Sequence, residues 1–321
     1  MNALVSICVP VYNVAPYIER CVQSLMQQTY DNLEYIFVDD CSTDQSVSLL
    51  QAVIAAYPQR QPHVRILHND RNHGLAYTRR VSIEAAKGEF ILCVDSDDYI
   101  DPNTVERLCQ GVQTADCDIV FGGYVKQCGQ QQELVTFSHL TQYDSLLTAL
   151  LEDNICNIWG NLIRRSLFDL PLVHFAPEGQ DYMEDRTVML YLSHVARQYN
   201  VVDEPLYHYI QHDGSVSAGK TDKHFRCLIR YWELADAYLA EIGLTDRYRV
   251  LTDRQKLTDK AHLLLFCTDV AVCRKYAGLF PEAEANHPKL QLSRGKRLTR
   301  FLVRHQLWGL MRLYKHYIRQ Q

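Results

Sequence analysis

Short apolar strands and amphipathic helices alternate through the first 125 residues, and this alternation constrains the fold more than any other feature of the sequence. Residues 4–11, 33–38, 64–67, 90–94 and 118–124 are short runs rich in apolar and β-branched residues. Such runs are typical of strands that are buried on both faces. Strand–helix alternation predicts an α/β fold, with a mostly parallel sheet that is flanked by helices.

The polar residues that directly follow the predicted strands are the first candidates for a functional site. In open α/β sheets, ligands bind beyond the carboxyl ends of the strands. Three of the four segments at that edge are rich in carboxylates. These segments are Tyr12-Asn13, Asp39-Asp40-Cys41-Ser42, Asn69-Asp70 and Asp95-Ser96-Asp97-Asp98.

The Asp95-Ser96-Asp97-Asp98 segment is a candidate metal site. Alternate carboxylates at a strand end can point into one crevice, and oxygen ligands suit Mg²⁺ or Mn²⁺ rather than zinc. A divalent metal there would neutralise a diphosphate and act as a Lewis acid for its departure. The alternative is a solvated acidic turn or helix cap, because Asp readily accepts hydrogen bonds from free backbone N–H groups.

The Asp39-Asp40 pair is a second acidic segment at a strand end. A carboxylate there can accept hydrogen bonds from a nucleobase or ribose, or it can cap the helix that begins near Asp44.

Two competing nucleotide-dependent classes lack their sequence signals. The loop over residues 10–14 contains no glycine. A nucleotidyltransferase would need a glycine-rich loop there to hold a triphosphate, and an NAD-dependent oxidoreductase would need G-x-G-x-x-G.

Taken together, these segments resemble family 2 glycosyltransferases in order and spacing over residues 4–125. The matching segments are 5–13 (VSICVPVYN), 25–30 (LMQQTY), 33–44 (LEYIFVDDCSTD), 72–79 (NHGLAYTR) and 88–98 (GEFILCVDSDD). A weaker match continues at 159–162 (WGNL), 184–185 (ED) and 207–209 (YHY). The resemblance implies a GT-A fold, a nucleoside diphosphate-sugar donor, which we expect to be a UDP-sugar, and inversion at the anomeric carbon.

The resemblance also implies a role for individual residues. Tyr12 would flank the nucleobase and Asp40 would hydrogen-bond it, while Arg79 would lie near the nucleotide or its diphosphate. Asp95 would lie by the ribose and the metal, and Asp97 would be the direct ligand of Mn²⁺ or Mg²⁺. The full nucleotide-binding set is Pro10, Tyr12, Asp40, Arg79, Asp95 and Ser96.

Asp185 matches the catalytic base of the family, and the chemistry supports that role. Inversion by a single displacement needs a base that takes the proton of the attacking hydroxyl. If they have no catalytic role, Glu184 and Asp185 are explained by their favourable interaction with the dipole at a helix N-terminus. We favour catalysis by Asp185 over Glu184.

Four positions depart from the family pattern or leave a role open. Arg80 stands where Asn is common, and it could add a phosphate contact or face solvent. Asn161 stands where Lys is common, so one phosphate or acceptor contact is in doubt. His208 and His212 lie next to a Gly-Ser loop that could close on a diphosphate, although such histidines more often have ordinary surface or core positions.

The second half of the chain differs in pattern. We predict a catalytic domain over residues 1–217, with a nucleotide-binding half at 1–125 and an acceptor half at 126–217. A helical region with a basic amphipathic tail follows over 218–321. Residues 288–321 contain nine Lys or Arg and no Asp or Glu.

The tail predicts one of two arrangements. Residues 298–321 have the composition of an interfacial helix that contacts a membrane, which suits a glycan or lipid-linked acceptor. Alternatively, the tail packs on the protein through its apolar stripe. The net charge of −5 argues against a nucleic-acid partner.

The cysteine pattern and the N-terminus predict a location. The sequence has 11 cysteines and no C-x-x-C pair, which favours free thiols in a reducing compartment. No apolar run is long enough to span a bilayer, and the first ten residues do not resemble a signal peptide. We therefore expect a cytoplasmic protein, peripheral on the inner face of the membrane if the tail binds there. A non-catalytic sugar-nucleotide-binding protein remains the alternative to the enzyme.

Overall fold

The structure is a computed structural model that describes residues 2–115, 117–153, 157–212, 220–286 and 293–319. Two compact units divide the chain: Met1–Leu150 with Ile155–His212, and Leu151–Asn154 with Asp213–Gln321. The sequence-predicted boundary at 217/218 lies outside the described residues.

The first unit contains one sheet and the helices that follow its strands. Its elements are β1 (Val5–Val11), α1 (Ile18–Met26), β2 (Leu33–Asp39), α2 (Ser46–Ala55), β3 (Val64–His68), α3 (Leu75–Ala85), β4 (Phe90–Cys93), β5 (Tyr99–Ile100), α4 (Thr104–Ala115), β6 (Ile119–Cys128), β7 (Gln131–Val135), α5 (Leu146–Asp153), β8 (Leu162–Arg164), α6 (Glu184–Val195) and β9 (Tyr199–Gln211). The last residues of α5 belong to the second unit.

The sheet has the order β3-β2-β1-β4-β8-β6-β9-β5, with β7 paired to β6. The strands β1 to β4 are parallel to one another. All residues of β1 and β2 are buried, as expected for strands covered by helices on both faces. The β1 ladder to β4 ends at Cys8, two residues before Pro10, whereas the ladder to β2 continues to Val11.

The second half of the sheet is mixed, which corrects the expectation of a mostly parallel sheet. Strand β8 is antiparallel to both β4 and β6, and β5 is antiparallel to β9. Strands β6 and β7 form a hairpin, and among the described strands of this half the β6–β9 pair is the parallel one. An antiparallel pair needs no crossover helix, so β6 and β7 are joined directly, whereas α5 and α6 lie between the later strands.

The second unit is helical. Its elements are α7 (Asp222–Glu241), α8 (Thr245–Phe266), α9 (Val270–Tyr276), α10 (Pro281–Asn286), α11 (Arg294–Arg304) and α12 (Trp308–Arg319). The central helix α8 contacts α7, α10 and α11. A buried hydrogen bond of 3.1 Å from Trp232 Nε1 to Asp259 Oδ2 joins α7 to α8. Among the described helices, none has both the length and the apolar character needed to cross a membrane.

Candidate active site

The loops after β1 and β2 hold each other by hydrogen bonds. Asn13 has a positive φ of 50°, and its Oδ1 accepts a bond of 2.8 Å from the backbone N–H of Thr43. Asp44 accepts bonds from the backbone N–H groups of Ala15 and Ser46. These bonds leave the Tyr12 side chain at the end of β1 with 47% of its surface exposed. An exposed ring on a fixed loop is suited to stacking against a flat ligand.

Asp40 is buried, and its carboxylate holds the loop between β3 and α3. Oδ1 accepts bonds from Asn69 Nδ2 at 2.7 Å and from the His73 N–H at 2.9 Å. Oδ2 accepts a bond of 2.8 Å from the Gly74 N–H. Asp40 therefore has a structural role that the sequence did not reveal, and its contact with a nucleobase stays a prediction. It does not cap α2. Asp44 instead accepts a hydrogen bond from the Ser46 N–H, at the first residue of that helix.

The four residues after β4 have different environments. Asp98 is fully buried and accepts bonds from Tyr207 Oη at 2.6 Å and from the Ile210 N–H at 2.7 Å. Burial, followed by the charges of Asp97 and Asp95, raises the pKa of Asp98 well above its ordinary value. Ser96 is also buried, whereas the side chains of Asp95 and Asp97 remain 20% and 24% exposed. Only Asp95 and Asp97 can therefore present carboxylate oxygens to a ligand.

Asp97 contacts a histidine that directly follows β9. His212 Nε2 lies 2.9 Å from Asp97 Oδ2, and the imidazole stacks on Tyr17 with 4.3 Å between ring centroids. His208 takes part in a different contact, because its Nε2 lies 2.9 Å from Asp101 and its ring stacks on Tyr99. Of the two histidines that the sequence left open, the structure brings His212 to the acidic segment.

Arg79 joins the end of β4 to the start of α6. Its guanidinium is buried and donates to Asp95 Oδ1 at 2.9 Å and to Glu184 Oε1 at 3.0 Å. Burial alone would lower the pKa of Arg79, but the carboxylates of Asp95 and Glu184 outweigh that effect and raise it. The guanidinium is therefore a fixed positive charge between the two acidic segments. Its expected position near a diphosphate stays a prediction.

Glu184 and Asp185 are neighbours with opposite surroundings. Glu184 is 3% exposed and is paired with Arg79. Asp185 is partly exposed, and its Oδ1 accepts a bond of 2.7 Å from the Arg186 N–H. Burial raises the pKa of Asp185 to about 6, against the hydrogen bond from Arg186, which lowers it. Burial also raises the pKa of Glu184, to about 7, so the partial exposure of Asp185 separates the two carboxylates and the pKa does not. The assignment of Asp185 as the base stays a prediction.

This unit contains an aromatic cluster that was not predicted from the sequence. Trp159 stacks on Tyr207 and Tyr209, with centroid distances of 4.6 and 5.2 Å, and meets Tyr124 edge-on at 5.0 Å. Tyr207 Oη also accepts a bond from the Asp95 N–H, so the cluster fixes the acidic segment. The Trp-Gly and Tyr-His-Tyr segments were visible in the sequence, but their mutual contact depends on the fold.

Two further positions have local structural roles. Asn161 is fully buried, where it accepts a bond from the Gly122 N–H and donates one to the Asn157 carbonyl. Arg80 pairs with Glu84 on the exposed side of α3. Asn161 is neutral, so it supplies no positive charge at the position where Lys is common in the family, and the charge of Arg80 is paired with Glu84.

Comparison with known proteins now identifies the family. A family model described as glycosyl transferase family 2 matches residues 6–169. The glycosyltransferase GlyG of Streptococcus pneumoniae serotype 4 (strain TIGR4) is 32% identical over 81% of this chain and 92% of its own length. The chain belongs to glycosyltransferase family 2. It is therefore an enzyme that transfers a sugar, as predicted from the sequence, and not a nucleotidyltransferase.

Solved structures share the fold of this family 2 glycosyltransferase. TarS of S. aureus, in complex with UDP-GlcNAc, has a TM-score of 0.62 at 20% identity and covers 94% of this chain and 92% of its own. The mannosyltransferase PcManGT of Pyrobaculum calidifontis, in complex with GDP-Man and Mn²⁺, has a TM-score of 0.54 at 18% identity, with coverages of 97% and 87%. The predicted GT-A fold is confirmed.

The carboxylates of this family 2 glycosyltransferase fit a divalent cation in their chemistry. Asp95 and Asp97 are partly exposed at one strand end, and burial together with the Asp95 charge raises the pKa of Asp97. That shift reflects negative charge with insufficient compensation, which a cation would supply. Within the part of the chain that the structure describes, no group of three or more His, Cys, Asp or Glu side chains forms a ready-made metal cluster.

Proposed function

We propose that the enzyme transfers a sugar from a UDP-sugar to a hydroxyl of a glycan or lipid-linked acceptor, with inversion at the anomeric carbon. The observation that carries this proposal is the Asp95–Arg79–Glu184 linkage, which joins the acidic end of β4 to the helix start that contains Asp185. The UDP-GlcNAc bound by TarS supports a UDP-sugar. Two further relatives, named as a teichuronic acid biosynthesis glycosyltransferase of Bacillus subtilis and a chondroitin synthase of Pasteurella multocida, support a role in polysaccharide biosynthesis.

Asp185 would act as the base of a single displacement. The acceptor oxygen attacks the anomeric carbon as the bond from that carbon to the diphosphate breaks, and the hydroxyl proton passes to the Asp185 carboxylate. The nucleoside diphosphate leaves with the electron pair of the broken bond. Arg79 and the partly exposed face of Asp95 would hold the diphosphate side, while Tyr12 and Asp40 would hold the base, with Pro10 and Ser96 lining the nucleotide.

Asp97, with Asp95 beside it, would hold Mn²⁺ or Mg²⁺. His212 is within hydrogen-bond distance of Asp97, so it can orient that carboxylate. When bound, the cation supplies charge neutralisation at the diphosphate. The Mn²⁺ in the PcManGT complex supports this assignment.

The location and the acceptor belong to the same proposal. The described cysteines are free thiols, which supports a cytoplasmic enzyme. Peripheral membrane contact through residues 298–321 would place the enzyme at the surface where a lipid-linked acceptor lies.

The test measures binding and turnover of UDP-, GDP- and dTDP-sugars, with and without Mn²⁺ and with added lipid acceptor. The variants are Asp97→Ala and Asp185→Asn, and the control is Asp31→Asn, whose carboxylate is fully exposed. We expect metal-dependent turnover of one UDP-sugar that Asp97→Ala abolishes and Asp31→Asn retains. Turnover of another nucleotide-sugar would correct the donor, and unchanged turnover by Asp97→Ala would contradict the metal assignment.

A further inference from the structure

The segment from α11 to α12 contains half of the large apolar side chains that are exposed in the described structure. Ten large apolar side chains are exposed among the described residues, and five of them lie between positions 298 and 313. They are Leu298, Phe301, Leu307, Leu310 and Leu313, with exposed fractions from 36% to 67%. A concentration of this kind on a short segment marks an interaction surface.

Helix α11 has two separate faces. Its packed face contains Thr299, Leu302 and Val303, and α11 contacts α8. The tail therefore packs on the protein through some of its apolar side chains, while others stay exposed. A second stripe, formed by Arg294, Arg297, Leu298, Phe301 and Arg304, is exposed and follows helical i, i+3, i+4, i+7 spacing.

The charges of that second stripe are uncompensated within the described structure. Arg300, on the packed side, pairs with Glu284 of α10. Arg294, Arg297 and Arg304 are exposed and have no carboxylate within ion-pair distance among the described residues. Residues 288–321 contain no acidic residue at all. The stripe thus combines positive charge with exposed Leu and Phe.

We propose that the exposed stripe of α11, together with Leu310 and Leu313 of α12, binds the surface of an anionic lipid bilayer. Leu298, Phe301, Leu310 and Leu313 would enter the boundary between headgroups and acyl chains, and the arginines would contact the lipid phosphates. We call Arg294, Arg297, Leu298, Phe301, Arg304, Leu310 and Leu313 the lipid-facing surface.

The chemistry favours a bilayer over the other occupants. A nucleic acid would be recognised by the arginines, but it would leave Leu298 and Phe301 without an apolar partner. A second copy of the chain would bring arginine stripes of like charge together. Of these three partners, only an anionic bilayer presents phosphates and hydrocarbon close enough together for one helix to contact both.

The test is flotation of the full-length protein with vesicles of phosphatidylcholine alone or of phosphatidylcholine mixed with phosphatidylglycerol. Vesicle binding needs neither donor nor metal, so its outcome is independent of the transfer reaction proposed above. We expect binding to the anionic vesicles that weakens between 0.1 and 1 M salt, because the screening length falls from about 10 Å to about 3 Å.

Two matched pairs of variants locate the surface. Arg297→Gln with Arg304→Gln should lower the partition coefficient about 25-fold, since each charge contributes about fivefold. Arg247→Gln with Arg249→Gln, both exposed on α8 of the same unit, should change it little. Phe301→Ser should lower it about tenfold or more, whereas Val250→Ser, at a position that is 62% exposed on α8, should not.

Each contrary result overturns the proposal. Absence of binding to anionic vesicles, with turnover intact, would refute the lipid-facing surface and leave the transferase assignment standing. Equal losses in the α8 controls would show unspecific charge attraction. Binding to duplex DNA but not to vesicles would assign the stripe to nucleic acid, and Phe301-dependent dimers in light scattering would assign it to a second copy.

Discussion

The parallel half of the sheet, β1 to β4, and the mixed half, β6 to β9, contribute to the candidate site in different ways. The parallel half presents Tyr12, Asp40 and Asp95 at its strand ends in chain order. The mixed half, with His212 directly after it, supplies groups that contact the segment after β4. Tyr207 accepts a bond from the Asp95 N–H and donates one to Asp98, and His212 contacts Asp97. The first half therefore provides the candidate ligand-binding groups, and the second half contacts the acidic segment among them.

The same contrast appears between two adjacent carboxylates. Glu184 is paired with Arg79 of the parallel half, while Asp185 accepts a local hydrogen bond from the Arg186 N–H. One of the two therefore stabilises the junction, and the other is available for chemistry. Substitutions at each position should separate these roles.

The largest effect is expected from Asp185→Asn. The amide has the shape of the carboxylate but cannot take the acceptor proton, so kcat should fall about 10²–10⁴-fold. Donor affinity, measured by calorimetry, should stay close to that of the unaltered enzyme. If Asp185→Asn retains full turnover, the base lies elsewhere and the contrast with Glu184 is lost.

Removing Glu184 should affect the fold more than the chemistry. Glu184→Ala leaves the Arg79 guanidinium buried with one carboxylate fewer, which should lower the free energy of unfolding by about 3–5 kcal/mol. Urea unfolding measures this change. The matched control is Glu84→Ala on α3, whose pair with Arg80 is half-exposed and should contribute about 0.3–0.5 kcal/mol. Similar losses in the two variants would show that Arg79 is not a structural junction.

A smaller effect is expected at Asp40. Asp40→Asn would set an amide N–H₂ against a backbone N–H in the loop over 69–74, at a cost of about 1–3 kcal/mol of unfolding free energy. Because the same loop precedes α3, donor KM should rise as well. Asp31→Asn serves as the exposed control. A rise in KM without any loss of stability would show that Asp40 contacts the donor and does not hold the loop.

The smallest effect is the dependence of the rate on pH. The active form of Asp185 is the deprotonated carboxylate, and burial raises its pKa to about 6. The value of kcat/KM should therefore be level above pH 6 and fall about tenfold per unit below it. The residual activity of Asp185→Asn should lack this limb. A limb that persists in that variant would belong to another group.

Much of the fold followed from local patterns in the sequence. The strands β1 to β4 lie where the apolar β-branched runs predicted them, and the carboxylates follow them at one edge of the sheet. The mixed half was less accessible, because the alternation that identifies parallel units ends after residue 125. Trp159, Tyr207 and Tyr209 are far apart or weakly patterned in sequence, so nothing local indicated that they form one cluster.

The sequence by itself determined the family, the α/β fold and the candidate carboxylates, because strand periodicity and short motifs depend on near neighbours along the chain. The tertiary structure alone decided which carboxylates are available. Asp98 is closed by Tyr207, Glu184 is paired with Arg79, and Asp185 is left partly exposed. The hydrogen bonds from Tyr207 to Asp98 and from Arg79 to Glu184 join residues more than 100 positions apart in the sequence. Which carboxylates they bury therefore depends on how the whole chain packs.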